Sequence, residues 1–220
     1  MESEMRPLYP MMLDLAGRAV VVVGGGAVAE RKIRGLLAAR AAVTVVSPAV
    51  TRTIARWAAG ARIVLRRRPA RAGDLDGALL VFAATDDPTV NRRMAAAALR
   101  RGALCNRADD PTACGFLVPA VLRRGDLLVA VSTGGGSPAL AKRLRERLAG
   151  LLGPEYAAFL AALGDLRRQA RRVIPDARQR QALFRKAAAS PLYDEAARGD
   201  RKAVQARIAA LLRAEPAGRP

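Results

Sequence analysis

The sequence predicts an α/β fold in which a parallel sheet carries helices on both faces. Apolar runs such as VVVV at 20–23 show no polar alternation, which is typical of buried parallel strands. These runs alternate with helical segments over short connections. The composition agrees, because 51% of the 220 residues are apolar while only 4% are aromatic.

Five strands and three helices are predicted before Pro111. The patterns predict strands at 19–24, 41–48, 61–68, 77–85 and 103–109, and helices at 27–39, 51–60 and 86–102. In the last of these helices, Asp87 is a suitable N-cap, Pro88 fits the first helical position and Gly102 ends the helix.

After Pro111 the alternation stops. Residues 116–133 predict two strands around the turn Arg124-Gly125-Asp126, and 134–152 a glycine turn opening a helix with Ser137 as N-cap. From residue 154 onward the chain is predicted to be helical, with a frayed ending AGRP. We therefore divide the chain into three domains at 1–113, 114–150 and 151–220.

Several classes of protein are disfavoured. No run of eighteen apolar residues exists, and the start MESEMRPLYP lacks the layout of a signal peptide, so we expect a cytoplasmic protein with no membrane span. Cys105 and Cys114 are too few for a disulfide framework and lack metal-site spacing, which favours buried thiols. The chain has no histidine, so proton chemistry must use other side chains.

The net charge of +19 is spread along the chain and attracts polyanions, either nucleic acid or a small polycarboxylate. Arginine outnumbers lysine 34 to 4, which the codon bias of a GC-rich genome would also explain. No nucleic-acid-binding pattern is present and aromatic residues for base stacking are scarce, so no nucleic-acid partner is expected.

The segment Gly24–Ala29 fits the dinucleotide fingerprint G-x-G-x-x-A, placed between a strand and a helix as that fingerprint requires. Gly24 would take the tight turn, Gly26 would let a pyrophosphate approach the backbone, and Ala29 would allow close packing of helix on strand. The helix amides would then face the phosphates. The alternative is a glycine turn that only packs.

The acid that commonly binds the ribose hydroxyls is missing at the end of the second strand. Ser47 and the backbone of Pro48 and Ala49 occupy its place, and Arg52 nearby leaves NADP open beside NAD.

Two acidic pairs follow the fourth and fifth strands, at the edge where such sheets bind ligands. Asp86 and Asp87 are best explained by helix capping. Asp109 and Asp110 are either a turn before Pro111 or a general base beside a nicotinamide, where an aspartate would take the proton in a chain without histidine.

The second glycine-rich turn, STGGGSP at 132–138, is either an ordinary capped helix start or an anion site for substrate carboxylates. Lys142, Arg143 and Arg145 would strengthen such a site.

Five ordered motifs over residues 8–150 resemble the precorrin-2 dehydrogenases and the N-terminal regions of siroheme synthases: VVVGGGAVAERK, VTVVSP, VFAATDDPTVN, CNRADDP and LLVAVSTGGGSPALAKRLRERL. The resemblance implies a Rossmann domain, a small α+β dimerisation domain that pairs with a second copy, and a C-terminal helical domain. It implies NAD-dependent oxidation of precorrin-2 to sirohydrochlorin and, in some members, insertion of ferrous iron.

The resemblance places the essential aspartate on Asp109 and NAD contacts on Ala27, Val28, Pro48 and Ala49. Together with the motifs, it gives a cofactor set of Gly24, Gly25, Gly26, Ala27, Val28, Ser47, Pro48, Ala49, Thr85 and Asp86. The substrate set is Asn106, Ser132, Thr133, Gly134, Gly135, Ser137 and Lys142, with no resident metal. The alternative function is a non-catalytic regulator that senses a dinucleotide or binds nucleic acid.

Overall fold

The computed structural model describes residues 7–214, and its internal contacts divide between Val118 and Pro119 into two compact units. The expectations for the first six residues of MESEMRPLYP and for the ending AGRP lie outside this range. The three-domain division at 113 and 150 stays a prediction.

The first unit contains the predicted parallel sheet. Its five strands are β1 (Ala19–Val23), β2 (Ala42–Val46), β3 (Val64–Arg66), β4 (Leu80–Ala83) and β5 (Leu104–Arg107). They lie in the order β3-β2-β1-β4-β5, and every neighbouring pair is parallel. The Rossmann-like α/β prediction is therefore confirmed.

Helices cover both faces of this sheet. They are α1 (Ala27–Ala38), α2 (Arg52–Ala59) and α3 (Pro88–Leu99), with 3-10 turns at Ala72–Leu75 and Pro111–Ala113. On one face Val20 and Val22 pack with Ile33 of α1 and Ile54 of α2. On the other face the remaining β1 valines share a core with α3, including Met94. Strand β1 is buried on both faces, which explains its unbroken apolar run.

The predicted elements all occur, although several are shorter than predicted: β4 begins at Leu80 instead of residue 77, and α3 ends at Leu99 instead of residue 102. The start of β3 was wrong for a specific reason. The third strand was expected from residue 61 and begins at Val64. Ala61 has a φ of 53°, and the Arg62 amide donates to the Trp57 carbonyl oxygen at 2.9 Å. Residues 60–62 therefore close α2 instead of starting the strand.

Over residues 119–214, the second unit pairs an antiparallel hairpin with five helices. The hairpin strands are β6 (Ala120–Arg124) and β7 (Leu127–Val131), and α4 (Pro138–Leu151) packs against both of them. The Arg124 side chain donates to the carbonyl oxygens of Ala149 and Leu152, which ties the hairpin turn to the end of α4. Ser137 caps α4 through the Leu140 amide at 3.2 Å, as predicted.

The remaining helices are α5 (Glu155–Val173), α6 (Ala177–Ala188), α7 (Leu192–Ala197) and α8 (Arg201–Arg213). They enclose a core in which Leu166, Leu183, Leu192 and Ile208 are almost fully buried. Among the described residues, no helix is both long enough and apolar enough to cross a membrane.

One buried carboxylate organises the segment after β3. Asp74, whose side chain is 2% exposed, accepts hydrogen bonds from Arg66 and Arg68 and from the Arg71 amide at 2.8 Å. The hydrogen bond with Arg68 does most to hold the pKa of Asp74 well below the ordinary aspartate value, with the Arg71 amide and Arg66 adding to it. The carboxylate therefore stabilises this turn when it is ionised.

We predict that Asp74→Asn lowers the free energy of unfolding at neutral pH by about 2 kcal/mol, because it removes charged hydrogen bonds to a buried group. A lowered folded-state pKa means that this stabilisation is complete above the ordinary aspartate pKa and is lost as the pH falls through the folded value. The variant should therefore lose less stability on acidification than the wild type. Denaturant titrations across the acid range measure both effects.

The matched control is Asp76→Asn. Asp76 pairs with Arg101 but is 70% exposed, so this change should alter stability by no more than about 0.5 kcal/mol. Equal losses in the two variants would contradict a special role for the buried carboxylate.

Candidate functional site

The candidate site lies at the carboxyl edge of the five-stranded sheet. All five strands are parallel, so the segments that follow β2, β1, β4 and β5 emerge at one edge in that order. They span three strand spacings, or about 14 Å. The chain order reverses between β1 and β4, which is where open α/β sheets bind ligands.

The three glycines after β1 are required for different reasons. Gly24 has a φ of +119°, and a Cβ there would collide with the Ala84 carbonyl oxygen. A Cβ on Gly25 would collide with the carbonyl oxygen of Ala49. The backbone of the first two glycines is therefore pressed against the loops after β4 and β2.

Gly26 differs from both neighbours. Its φ of −80° suits any residue, and a Cβ on it would meet no atom within 4 Å. Neither backbone conformation nor internal packing therefore explains this glycine. It leaves an open space directly in front of helix α1.

The start of α1 offers hydrogen-bond donors to that space. Gly26 is the N-cap residue and supplies no side chain, and no described side chain accepts from the amides of Ala27, Val28 or Ala29. The first amides of a helix lack intrahelical acceptors and carry the positive end of its dipole. The residues present therefore fit the pyrophosphate of a dinucleotide.

The loop after β2 borders the glycine turn. The Thr51 amide donates to the Gly25 carbonyl oxygen at 3.0 Å, which fixes the two segments together. Ser47 is buried, and its hydroxyl donates to the Ala49 carbonyl oxygen at 2.7 Å. Ser47 thus shapes the loop, while its assignment with Pro48 and Ala49 to the ribose stays a prediction.

The loop after β4 is held by Asn91, a fully buried residue of α3 that the sequence analysis did not select. Its side-chain oxygen accepts from the amide and hydroxyl of Thr85, and its nitrogen donates to the Thr85 carbonyl oxygen at 3.0 Å. Asp87 caps α3 through the amides of Thr89 and Val90, as expected. Asp86 is exposed beside Thr85.

The carboxylates after β5 are held by Arg107, which the sequence analysis also missed. The Arg107 side chain is 8% exposed and donates to Asp109 at 2.8 Å and to Asp110 at 3.1 Å. The spacing of Arg107 and Asp109 was the available signal, because residues two apart on an extended chain point to the same side.

This pairing sets the charge of the site. The hydrogen bond from Arg107 is the largest cause that lowers the pKa of Asp109, and partial burial opposes it. The pKa of Asp110 is lowered mainly by its hydrogen bond with Thr112. Both acids are therefore ionised at neutral pH and able to accept a proton.

The thiols near β5 are buried, as predicted. Burial raises the pKa of Cys105 to about 11, so that thiol stays protonated at neutral pH. Cys114 accepts from the Arg107 amide at 3.1 Å, and Asn106 donates to the Phe116 carbonyl oxygen at 3.0 Å. These contacts anchor residues 114–116 on β5, and Asn106 as a substrate ligand stays a prediction.

The second glycine-rich turn lies in the second unit. Thr133 accepts from the Ser137 amide at 3.0 Å and donates to the Ser137 carbonyl oxygen, while Ser132 accepts from the Gly134 amide. Gly134 and Gly135 both have positive φ angles, and Lys142 is exposed on α4. The turn is thus an ordered, capped helix start, and its role as an anion site stays a prediction.

Among residues 7–214, no cluster of three or more acidic, cysteine or histidine side chains could hold a metal ion.

Together, the topology and the open glycine turn define a Rossmann-like dinucleotide-binding protein. Comparison with known families agrees: residues 11–120 match a family described as "Putative NAD(P)-binding", and residues 124–151 match "Sirohaem biosynthesis protein central". The chain belongs to the family of siroheme synthases and precorrin-2 dehydrogenases, which confirms the resemblance seen in the sequence.

Individual relatives support this assignment. The chain is 34% identical over 160 residues to a precorrin-2 dehydrogenase of Priestia megaterium, covering 73% of this chain and 79% of that protein. It is 38% identical over 190 residues to a siroheme synthase of Methylococcus capsulatus, covering 86% of this chain and 40% of the relative. The chain thus spans less than half the length of such siroheme synthases.

A solved structure named "SirC, precorrin-2 dehydrogenase" is similar to this fold with a TM-score of 0.77 at 30% identity. The match covers 92% of this chain and all of that chain.

We predict that Gly26→Val leaves the fold intact and weakens NAD binding by about tenfold or more, because the side chain would fill the space for the pyrophosphate. Isothermal titration with NAD measures the affinity, and thermal unfolding checks the fold. The control is Gly35→Val on the same helix, where a Cβ also meets no atom within 4 Å but lies far from the helix start. Equal affinities of the two variants would place the cofactor elsewhere.

Proposed function

We propose that this protein is an NAD-dependent dehydrogenase that oxidises precorrin-2 to sirohydrochlorin. The observation that carries the proposal is the open space at Gly26, on the same sheet edge as an ionised Asp109. The relationship to precorrin-2 dehydrogenases supplies the substrate.

Residues from three strand ends would hold the cofactor. The amides that open α1 would bind the pyrophosphate, together with Gly24, Gly25 and Gly26. Ser47, Pro48 and Ala49 would border one end of the dinucleotide, while Thr85 and Asp86 would border the other. NAD, when bound, would supply the acceptor for a hydride.

Asp109 would receive the proton. Oxidation removes a hydride and a proton from precorrin-2, giving sirohydrochlorin, NADH and one released proton. Loss of the hydride leaves a cationic macrocycle whose remaining protons are acidic, so a carboxylate with a lowered pKa is a sufficient base. Arg107 would fix the direction of that carboxylate.

The charge of the chain suits this substrate. Precorrin-2 is a polycarboxylate, and a protein with 38 basic and 19 acidic residues attracts it over distance. Arginine side chains bind carboxylates through two parallel hydrogen bonds. We include Asn106, Ser132, Thr133, Gly134, Gly135, Ser137 and Lys142 as substrate-binding residues on the basis of the family resemblance.

We also propose that the protein acts as a homodimer, with the dimerisation domain at 114–150 followed by a helical domain at 151–220. Exposed apolar side chains on the hairpin and α4 support this, among them Val121, Leu140 and Leu151.

A cytoplasmic location agrees with two buried thiols. Insertion of ferrous iron stays a prediction, tested by adding Fe²⁺ to the product and recording the spectrum of the ring.

The direct test is to mix the protein with precorrin-2 and NAD and to follow NADH absorbance. Stoichiometric NADH together with the spectrum of sirohydrochlorin is the expected result. A salt-sensitive shift of DNA in a gel, without turnover, would instead favour the regulatory alternative.

We predict that Asp109→Asn lowers kcat by about 100-fold or more, since the base is removed, while leaving NAD affinity and thermal stability close to wild type. Asp110→Asn is the matched control, because Asp110 also pairs with Arg107, and it should keep most of the activity. Steady-state kinetics compare the two. Near-normal turnover of Asp109→Asn would remove this residue from the mechanism.

A further inference from the structure

Lys32 on α1 is a partly buried cation for which no described residue supplies a carboxylate partner. It makes no ion pair or hydrogen bond among residues 7–214, and its ammonium lies 5.7 Å from the centre of the Phe82 ring. Burial is the main cause that lowers its pKa, Arg31 adds to this, and the Cys114 thiol opposes it. Because Lys32 is partly withdrawn from water and no ion pair offsets the loss of hydration, its charge carries a desolvation cost.

The surroundings of Lys32 give no structural reason for a charge. The Phe82 ring meets the Phe116 ring edge-on at 5.3 Å, and Phe82 belongs to the apolar core on this face. A methionine or leucine would pack against these rings without a desolvation penalty. The cation–π contact offsets part of that penalty only.

The position of Lys32 links it to the candidate site. Helical side chains tilt toward the start of their helix, so the Lys32 side chain runs back toward the carboxyl edge of the sheet. Phe82 lies on β4, three residues before Thr85. Phe116 belongs to the segment that Asn106 and Cys114 hold against β5, the strand that leads to Asp109. The ammonium therefore lies beside β4, over the ring of Phe82, which in turn meets Phe116.

Two kinds of anion could pair with this ammonium, a cofactor phosphate or a substrate carboxylate. The amides that open α1 already provide for a pyrophosphate, on β1 and its turn. Lys32 instead contacts β4, the next strand toward β5, where the proton acceptor is carried. This placement favours the substrate.

We propose that the Lys32 ammonium binds a carboxylate side chain of the tetrapyrrole and so positions the ring for oxidation. The inference rests on the proposed function and adds a specificity-determining residue to it. Among residues 7–214 no carboxylate pairs with this charge, because the ligand brings the carboxylate.

The test compares Lys32→Met, Lys32→Arg and Lys202→Met. Methionine keeps the apolar stem and removes the charge, arginine keeps the charge, and Lys202 is an exposed control on α8. With NAD saturating, Lys32→Met should raise the KM for precorrin-2 by about tenfold or more, while the KM for NAD stays unchanged. Lys32→Arg should recover most of this loss, and Lys202→Met should match the wild type.

A second measurement separates the proposed role of Lys32 from the proposed dehydrogenase function. Sirohydrochlorin is titrated into each variant and followed by its absorbance, and Lys32→Met should bind it at least about tenfold more weakly. If the wild type turns over and Lys32→Met matches it in both measurements, this inference fails and the dehydrogenase stands. A rise in the KM for NAD alone, or loss of the folded state in Lys32→Met, also overturns it. A wild type that neither turns over precorrin-2 nor binds the product overturns both.

Discussion

The site depends on a close approach of three loops that only glycine permits. Strand β1 is buried on both faces and leads into a backbone turn at Gly24 that lies against Ala84. Gly25 lies equally close to Ala49. The carboxyl ends of β2, β1 and β4 are therefore brought together before any ligand arrives, and the amides of α1 are aimed at the space in front of Gly26. Packing of the sheet thus shapes the proposed anion site.

A second interaction would set the proposed chemistry at the other end of the sheet edge. Arg107 is buried and holds Asp109 and Asp110 in fixed directions while it lowers the pKa of Asp109. In the proposed reaction, a base of this kind would be weak toward ordinary carbon acids and adequate for a ring that has just lost a hydride. The ion pair therefore links a structural arginine to the type of reaction that the site can support.

The sequence predicted the order of the seven strands and of helices α1 to α4, because buried runs, glycines and prolines act locally, whereas the two 3-10 turns and the break between α7 and α8 were not predicted. Asp87 and Ser137 cap the helices where their spacing indicated. Arg107 and Asn91 were not found in the same way, although the two-residue spacing of Arg107 and Asp109 was a signal for the first of them. Their roles depend on which side chains meet across the sheet edge. In a chain with 34 arginines, composition does not distinguish Arg107 from the others. The start of β3 was misplaced because a left-handed Ala61 gives no sequence signal.

The most direct measurement of the central claim is a crystal structure of the protein with NAD bound. The account predicts the pyrophosphate in front of Gly26, within hydrogen-bonding distance of the Ala27 and Val28 amides, with the nicotinamide toward Thr85 and Asp109. NAD bound away from the start of α1, or a nicotinamide directed toward β3 and away from Asp109, would contradict it.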